Sequence, residues 1–194
     1  MKKTAIIVVD MLKDTLDVGS SFSIEEGRKI IPNIQHLLAV ARGNSLPVIF
    51  ANDSFLPDDF LFRETGRTPH SIMGTEGATV ISEFGPSETD IILQKRRMSA
   101  FFGTNLDVTL REMKVDTIAV AGISTPVCVL STLLDGIAHD FRVIMLEDCC
   151  AAYRRQDHES IVKVYGRGAM YPLLQAMPLV EFLSTLTPNR LIGQ

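Results

Sequence analysis

Three side chains in this sequence could do covalent chemistry together. Cys128 lies in Val120-Ala-Gly-Ile-Ser-Thr-Pro-Val-Cys128, where a β-branched apolar run breaks at a glycine and a helix is expected to start. A cysteine in the first turn of a helix is in a place that lowers thiol pKa. Asp10 ends the apolar run Ala5–Val9, and Lys95 follows Ile91-Ile-Leu-Gln94. A thiol, a carboxylate and an ammonium, each at the end of a buried strand, suit nucleophilic attack on a carbonyl.

Each residue also has a plainer reading. A buried cysteine is ordinarily a small hydrophobe. Against this stands the strand–turn–helix setting, whose unpaired N–H groups can stabilise a thiolate or an oxyanion. Asp10 alone is equally a helix N-cap or a turn acid. Lys95, beside Arg96 and Arg97, is equally a solvated strand end. Cys149-Cys150 lacks a glycine break and reads as packing. The three candidates together make the stronger case, since a carboxylate near a thiol can accept its proton.

Alternating strands and helices must position these groups. Strands are expected at Thr4–Val9, Pro47–Ala51, Thr89–Leu93, Thr117–Ala121, Arg142–Leu146 and Leu173–Ala176. Helices are expected at Glu25–Arg42, Thr104–Lys114, Pro126–His139, His158–Met170 and from Pro178 to Leu186. Pro32 makes the first helix begin there or kink. Residues 52–87 are rich in Gly, Pro and charge, and a segment so long between elements tends to be functional. Continuous apolar strands alternating with helices argue for an α/β fold, a parallel sheet covered on both faces. Ligands bind such sheets beyond the carboxyl ends of the strands. Asp10, Asn52, Asp53, Lys95 and the Gly122–Cys128 turn all fall there.

Composition excludes several classes. With 194 residues, 46% hydrophobic and 22% charged, the chain suits one folded domain over 1–194 rather than disorder. A net charge of −4 with no long basic run disfavours nucleic acid. No stretch approaches the ~20 apolar residues of a membrane span, and the first apolar run is too short for a signal peptide. Three cysteines, two of them adjacent, cannot build a secreted disulfide framework, so a cytoplasmic location is expected.

The ordered motifs resemble those of the isochorismatase-like cysteine hydrolases, which include nicotinamidase and N-carbamoylsarcosine amidase. Val8-Val-Asp10-Met, Leu46–Asp53, His70-Ser-Ile-Met-Gly-Thr-Glu-Gly-Ala78, Lys95–Leu106, Gly122–Val129 and Asp148-Cys-Cys-Ala-Ala carry the resemblance over about residues 4–170. It implies a three-layer α/β/α fold with a six-stranded parallel sheet in order 3-2-1-4-5-6. It implies a catalytic triad of Asp10, Lys95 and Cys128, and a non-proline cis peptide at Ile123–Ser124. The backbone N–H groups of Ser124 and Cys128 would form the oxyanion hole.

Departures from nicotinamidase narrow the expectation. Nicotinamidases hold a metal through an Asp-x-His pair and a later histidine. This chain reads Asp53-Ser54-Phe55, leaving Asp53 and His70, and two ligands rarely hold a zinc. No metal and no cofactor are therefore expected, and His70 reads as structural or pocket-lining. The aromatic residue that packs on a pyridine ring is also missing, with Thr15 in its region. Asn52, Asp53, His70, Phe101, Arg63 and Arg67 are candidates for substrate binding. One of Arg63, Arg67, Arg96 or Arg97 could read a substrate carboxylate. The expected activity is hydrolysis of a small amide or N-carbamoyl compound through a thioester, with release of ammonia. The alternatives are isochorismatase-type vinyl-ether hydrolysis, which needs no thiol, and nicotinamidase or pyrazinamidase activity. A homodimer or homotetramer is the expected assembly.

Overall fold

The computed structural model describes residues 3–20, 22–168 and 170–186. Its centre is a six-stranded parallel sheet in order β3-β2-β1-β4-β5-β6. The chain runs through β1 (Thr4–Val9), α1 (Lys13–Leu16), α2 (Glu25–Lys29), α3 (Ile31–Gly43), β2 (Val48–Asp53), α4 (Phe60–Thr65) and β3 (Ile91–Lys95). It continues through α5 (Leu106–Glu112), β4 (Thr117–Ile123), α6 (Leu130–Ala138), β5 (Arg142–Ala151), α7 (Arg155–Tyr165), β6 (Leu174–Met177) and α8 (Leu179–Leu186).

The period-2 alternation of β1 divides the core. Ile6 and Val8 pack with Ile34, Leu37 and Leu38 of α3 and Phe182 of α8. Ala5, Ile7 and Val9 face Leu106 and Leu110 of α5 and Leu133 of α6. Helices thus cover both faces, giving three layers. Each fully buried Leu or Ile contributes about 1.5–3 kcal/mol relative to exposure. Among the described residues no helix is long and apolar enough to cross a membrane.

Several boundaries differ from expectation, four of them for a clear local reason. The first long helix is two: α2 ends at Lys29, and Pro32, which has no N–H to donate, sits in the first turn of α3. Strand β2 runs on through Asn52 and Asp53 because β3 pairs with them, Asn52 with Gln94 and Asp53 with Lys95. Strand β3 starts two residues late. Asp90 closes a turn, accepting from Ser87 N at 2.8 Å and from Arg42 at 2.7 Å. Strand β5 continues to Ala151, so Cys149 and Cys150 are buried strand residues. The expected His158–Met170 helix is α7, Arg155–Tyr165, which starts earlier and stops before Gly166; Ala169 lies outside the described residues, and the last helix matches its expected range.

The irregular segment 54–87 is tied down over the sheet. Phe55 pairs with Ile72 and Leu12 with Val80. Ser71 N donates to Asp14 Oδ2 at 2.7 Å. Gly77 lets that carboxyl group approach, since a Cβ there would lie 2.2 Å from Asp14 Cγ. The loop after β1 and the loop after β2 are therefore one layer above the strand ends.

Candidate active site

Asp10 follows β1 at φ 52°, a left-handed backbone that costs a non-glycine residue about 1–2 kcal/mol. Several hydrogen bonds offset that cost. Asp10 N donates to Ala51 O at 3.0 Å, and its carbonyl accepts from Leu12 N at 2.9 Å and Thr15 Oγ1 at 2.8 Å. The side chain, turned back over the sheet, accepts from Asp53 N at 2.7 Å through Oδ1. Its Oδ2 lies 2.8 Å from Lys95 Nζ.

Lys95 is the last residue of β3 and shares the face of Leu93, so the pleat drives it into the core with 0% exposure. Asp53, its register partner on β2, also hydrogen-bonds the ammonium. One cation therefore bridges two carboxylates. Burial pulls the Lys95 pKa down, but the charges of Asp10 and Asp53 outweigh it and hold it well above the ordinary value. Asp53 is pushed up to about 7 by burial and by the Asp10 charge, with Lys95 opposing.

Cys128 enters from the adjoining strand. At Gly122 β4 has φ 115°, and a Cβ there would lie 2.1 Å from Val9 O. Glycine alone lets the end of β4 lie this close to β1. The Ile123–Ser124 peptide is cis, as the resemblance implies. The chain then makes a π turn over Thr125–Val129, in which Ser124 O accepts from Val127 N and Val129 N. Cys128, 9% exposed, ends with its thiol beside the Asp10 carboxylate. The ligand atoms of Asp10, Asp53 and Cys128 all lie within 4.8 Å of one another. The cation that balances the two carboxylates belongs to the chain itself.

The expected lowering of the thiol pKa is corrected. Burial first, and then the charge of Asp10, push the Cys128 thiol well above its ordinary value; Lys95 opposes and Asp53 adds to the rise. The sequence points to the helix start and to Asp10 near the thiol, but the depth of burial and the Asp53 charge come from the fold.

The remaining candidates separate. Asn52 is buried on the Phe50 side of β2, the face opposite Asp53, and its Oδ1 has no hydrogen-bond partner among the described residues. His70 is buried in aromatic side chains: Phe22 stacks on it at 4.0 Å, and Phe55 and Phe62 meet it edge-on. Its Nδ1 lies 2.9 Å from Thr68 O. Phe101 stacks on His139 at 5.0 Å and packs near Phe141 and Gly136, by the end of α6. Arg63 and Arg67 are exposed, and Arg63 is drawn to Asp58 by a 2.7 Å bond to its carbonyl. Arg96 and Arg97 both pair with the buried carboxylate of Asp59, at 2.7 and 3.2 Å. These arrangements hold the four arginines to neighbouring acids or solvent rather than to Cys128.

Two residues that sequence reasoning passed over build the site. Thr15, noted only as the absence of an aromatic clamp, ties the Asp10 carbonyl to the first turn of α1. Its hydroxyl also accepts from Leu12 N at 3.1 Å. Thr132, wholly buried, donates to Cys128 O at 2.8 Å and accepts from Ala100 N at 3.0 Å. The i−4 spacing to Cys128 is visible in the sequence; the link to the loop after Lys95 is not. The larger open cavities lie away from this chemistry. One of about 550 Å³ sits between α2 and α7 and is bordered by Ile30, Cys150 and His158.

A thiol, an acid and a buried ammonium thus gather at the carboxyl ends of parallel strands in an α/β protein. The isochorismatase domain matches residues 4–169, and the chain belongs to that family of hydrolases. A probable inactive nicotinamidase of Arabidopsis thaliana is 31% identical, over 89% of this chain and 93% of its own. Among solved structures, an isochorismatase-like hydrolase from Alkaliphilus metalliredigens has a TM-score of 0.87 at 31% identity, covering 95% of this chain and 100% of that one. The N-carbamoylsarcosine amidase of Thermoplasma acidophilum has a TM-score of 0.78 at 32% identity, covering 91% and 96%.

Proposed function

We propose that the chain is an amidohydrolase that cleaves the C–N bond of a small amide or N-carbamoyl compound through a Cys128 thioester. The observation that carries this is the Cys128 thiol within 4.8 Å of the Asp10 carboxylate, with the Lys95 ammonium 2.8 Å from the same carboxylate. Asp10 takes the thiol proton as sulfur bonds to the substrate carbonyl carbon. The carbonyl oxygen takes the negative charge, held by the Ser124 and Cys128 backbone N–H groups. Asp10 then gives the proton to the leaving nitrogen, the C–N bond breaks, and ammonia departs. Water loses a proton to Asp10 and adds to the thioester. The C–S bond breaks, the acid leaves, and Asp10 returns the proton to sulfur.

A non-pyridine substrate is favoured by Phe55. It stands where an Asp-x-His metal pair would place its histidine, and its ring packs on Phe62 and His70. The fold likeness to N-carbamoylsarcosine amidase supports the same substrate class.

Ammonia release from a panel of small carboxamides and N-carbamoyl compounds tests the reading. The native protein is expected to release ammonia from at least one, and Cys128→Ala from none while keeping its circular dichroism. Full activity in Cys128→Ala would overturn the thioester route. Turnover of isochorismate by Cys128→Ser would favour vinyl-ether hydrolysis instead.

A further inference from the structure

The proposed reaction needs one acid, one ammonium and one thiol, yet the site holds a second carboxylate. Asp53 makes two separate contacts with the other members. Its backbone N–H donates to Asp10 Oδ1 at 2.7 Å, and its side chain bonds the Lys95 ammonium. The Ser54 N–H beyond it donates to Lys95 O at 2.9 Å, which locks the two strand ends together. Substrate binding and metal ligation are both poor accounts of this carboxylate. Lys95 already engages it, and Phe55 occupies the place of a companion histidine.

We propose that Asp53 is a positioning residue of this site. Its N–H fixes the Asp10 carboxylate, its side chain fixes Lys95, and its negative charge keeps the proton on Cys128 until a substrate carbonyl is bound. The physical reason is charge balance. Asp10 and Asp53 against Lys95 leave the buried cluster one negative charge in excess. Ionising Cys128 would add another beside both carboxylates, where little water screens them. Transfer of the thiol proton to Asp10 adds no net charge, and it becomes favourable when the carbonyl carbon takes the sulfur electrons. The groups facing Asp53 are Asp10 after β1, Lys95 on β3, Cys128 before α6, and Asp59 before α4. Asp59 is itself paired with Arg96 and Arg97.

This role deepens the amidohydrolase reading, but its test needs no substrate. In a Cys149→Ala, Cys150→Ala background Cys128 is the sole thiol. The rate of iodoacetamide alkylation is followed against pH in that parent and in its Asp53→Asn and Asp53→Ala derivatives. Both are expected to shift the alkylation midpoint down by at least about one pH unit, a tenfold faster reaction at a fixed pH below the parent midpoint. An unchanged midpoint in a folded derivative overturns the proposal. So does loss of fold in both, which would make Asp53 a purely structural residue. Ammonia release surviving in Cys128→Ala would sink the amidohydrolase reading without moving the alkylation profile, so the two failures are distinguishable.

Discussion

The Lys95 ammonium lies 2.8 Å from Asp10 Oδ2, with 0% of one side chain and 4% of the other exposed. Removing one partner of a buried pair leaves an uncompensated charge. Here Lys95 answers two carboxylates, so the effect is larger than at an isolated pair.

Lys95→Met is therefore expected to lose about 3–5 kcal/mol of stability together with activity. Urea unfolding followed by circular dichroism measures the first and ammonia release the second. A variant as stable as the native chain would show that the ammonium does not hold the strand ends.

Thr132→Val should cost about 1–3 kcal/mol, because the Ala100 N–H and one bond to the Cys128 carbonyl go unsatisfied in the core. The turn that aims Cys128 would also loosen from the loop after Lys95, so kcat should fall more than KM changes. Thr132→Ser keeps the hydroxyl and should recover most of both. Equal behaviour of the valine and serine variants would assign Thr132 to packing alone.

Stability should depend on pH with a sign opposite to that of an ordinary salt-bridged acid. Asp53 titrates near 3.8 when unfolded and is pushed up to about 7 when folded. Between these values the folded chain holds more protons than the unfolded one. The Asp53 contribution is then complete below about pH 4 and is lost as pH rises toward 7. Cys128, Cys149 and Cys150 act in the same sense at alkaline pH. Burial raises all three thiols, so stability falls again as unfolded thiols ionise above their ordinary 9.0. Melting temperatures from pH 4 to 10 should show both declines, and Asp53→Asn should remove the first alone.

Much of the architecture was legible because the strands are continuous apolar runs. Ala5–Val9 and Thr117–Ala121 announce themselves, and both lie at the centre of the sheet. Strand ends were less legible. Asn52 and Asp53 look like loop residues, and pairing with β3 keeps them in the sheet. A polar residue ending a buried run was a sound guide to Asp10, and Gly122 with Cys128 marked the sharp turn that close approach to Val9 demands.

The chain's own order of residues determined that an acid, an ammonium and a thiol would gather at one edge of a parallel sheet. Strand periodicity and the single glycine break decide where the side chains leave the core. Only the tertiary structure decided their electrostatics. Asp53 stands beside Lys95 through strand register, and Phe101 packs by the end of α6, facts that depend on partners distant in sequence. The rise in the Cys128 thiol pKa has the same origin. That pKa answers to the charges that folding brings within reach, and these lie outside its own helix turn.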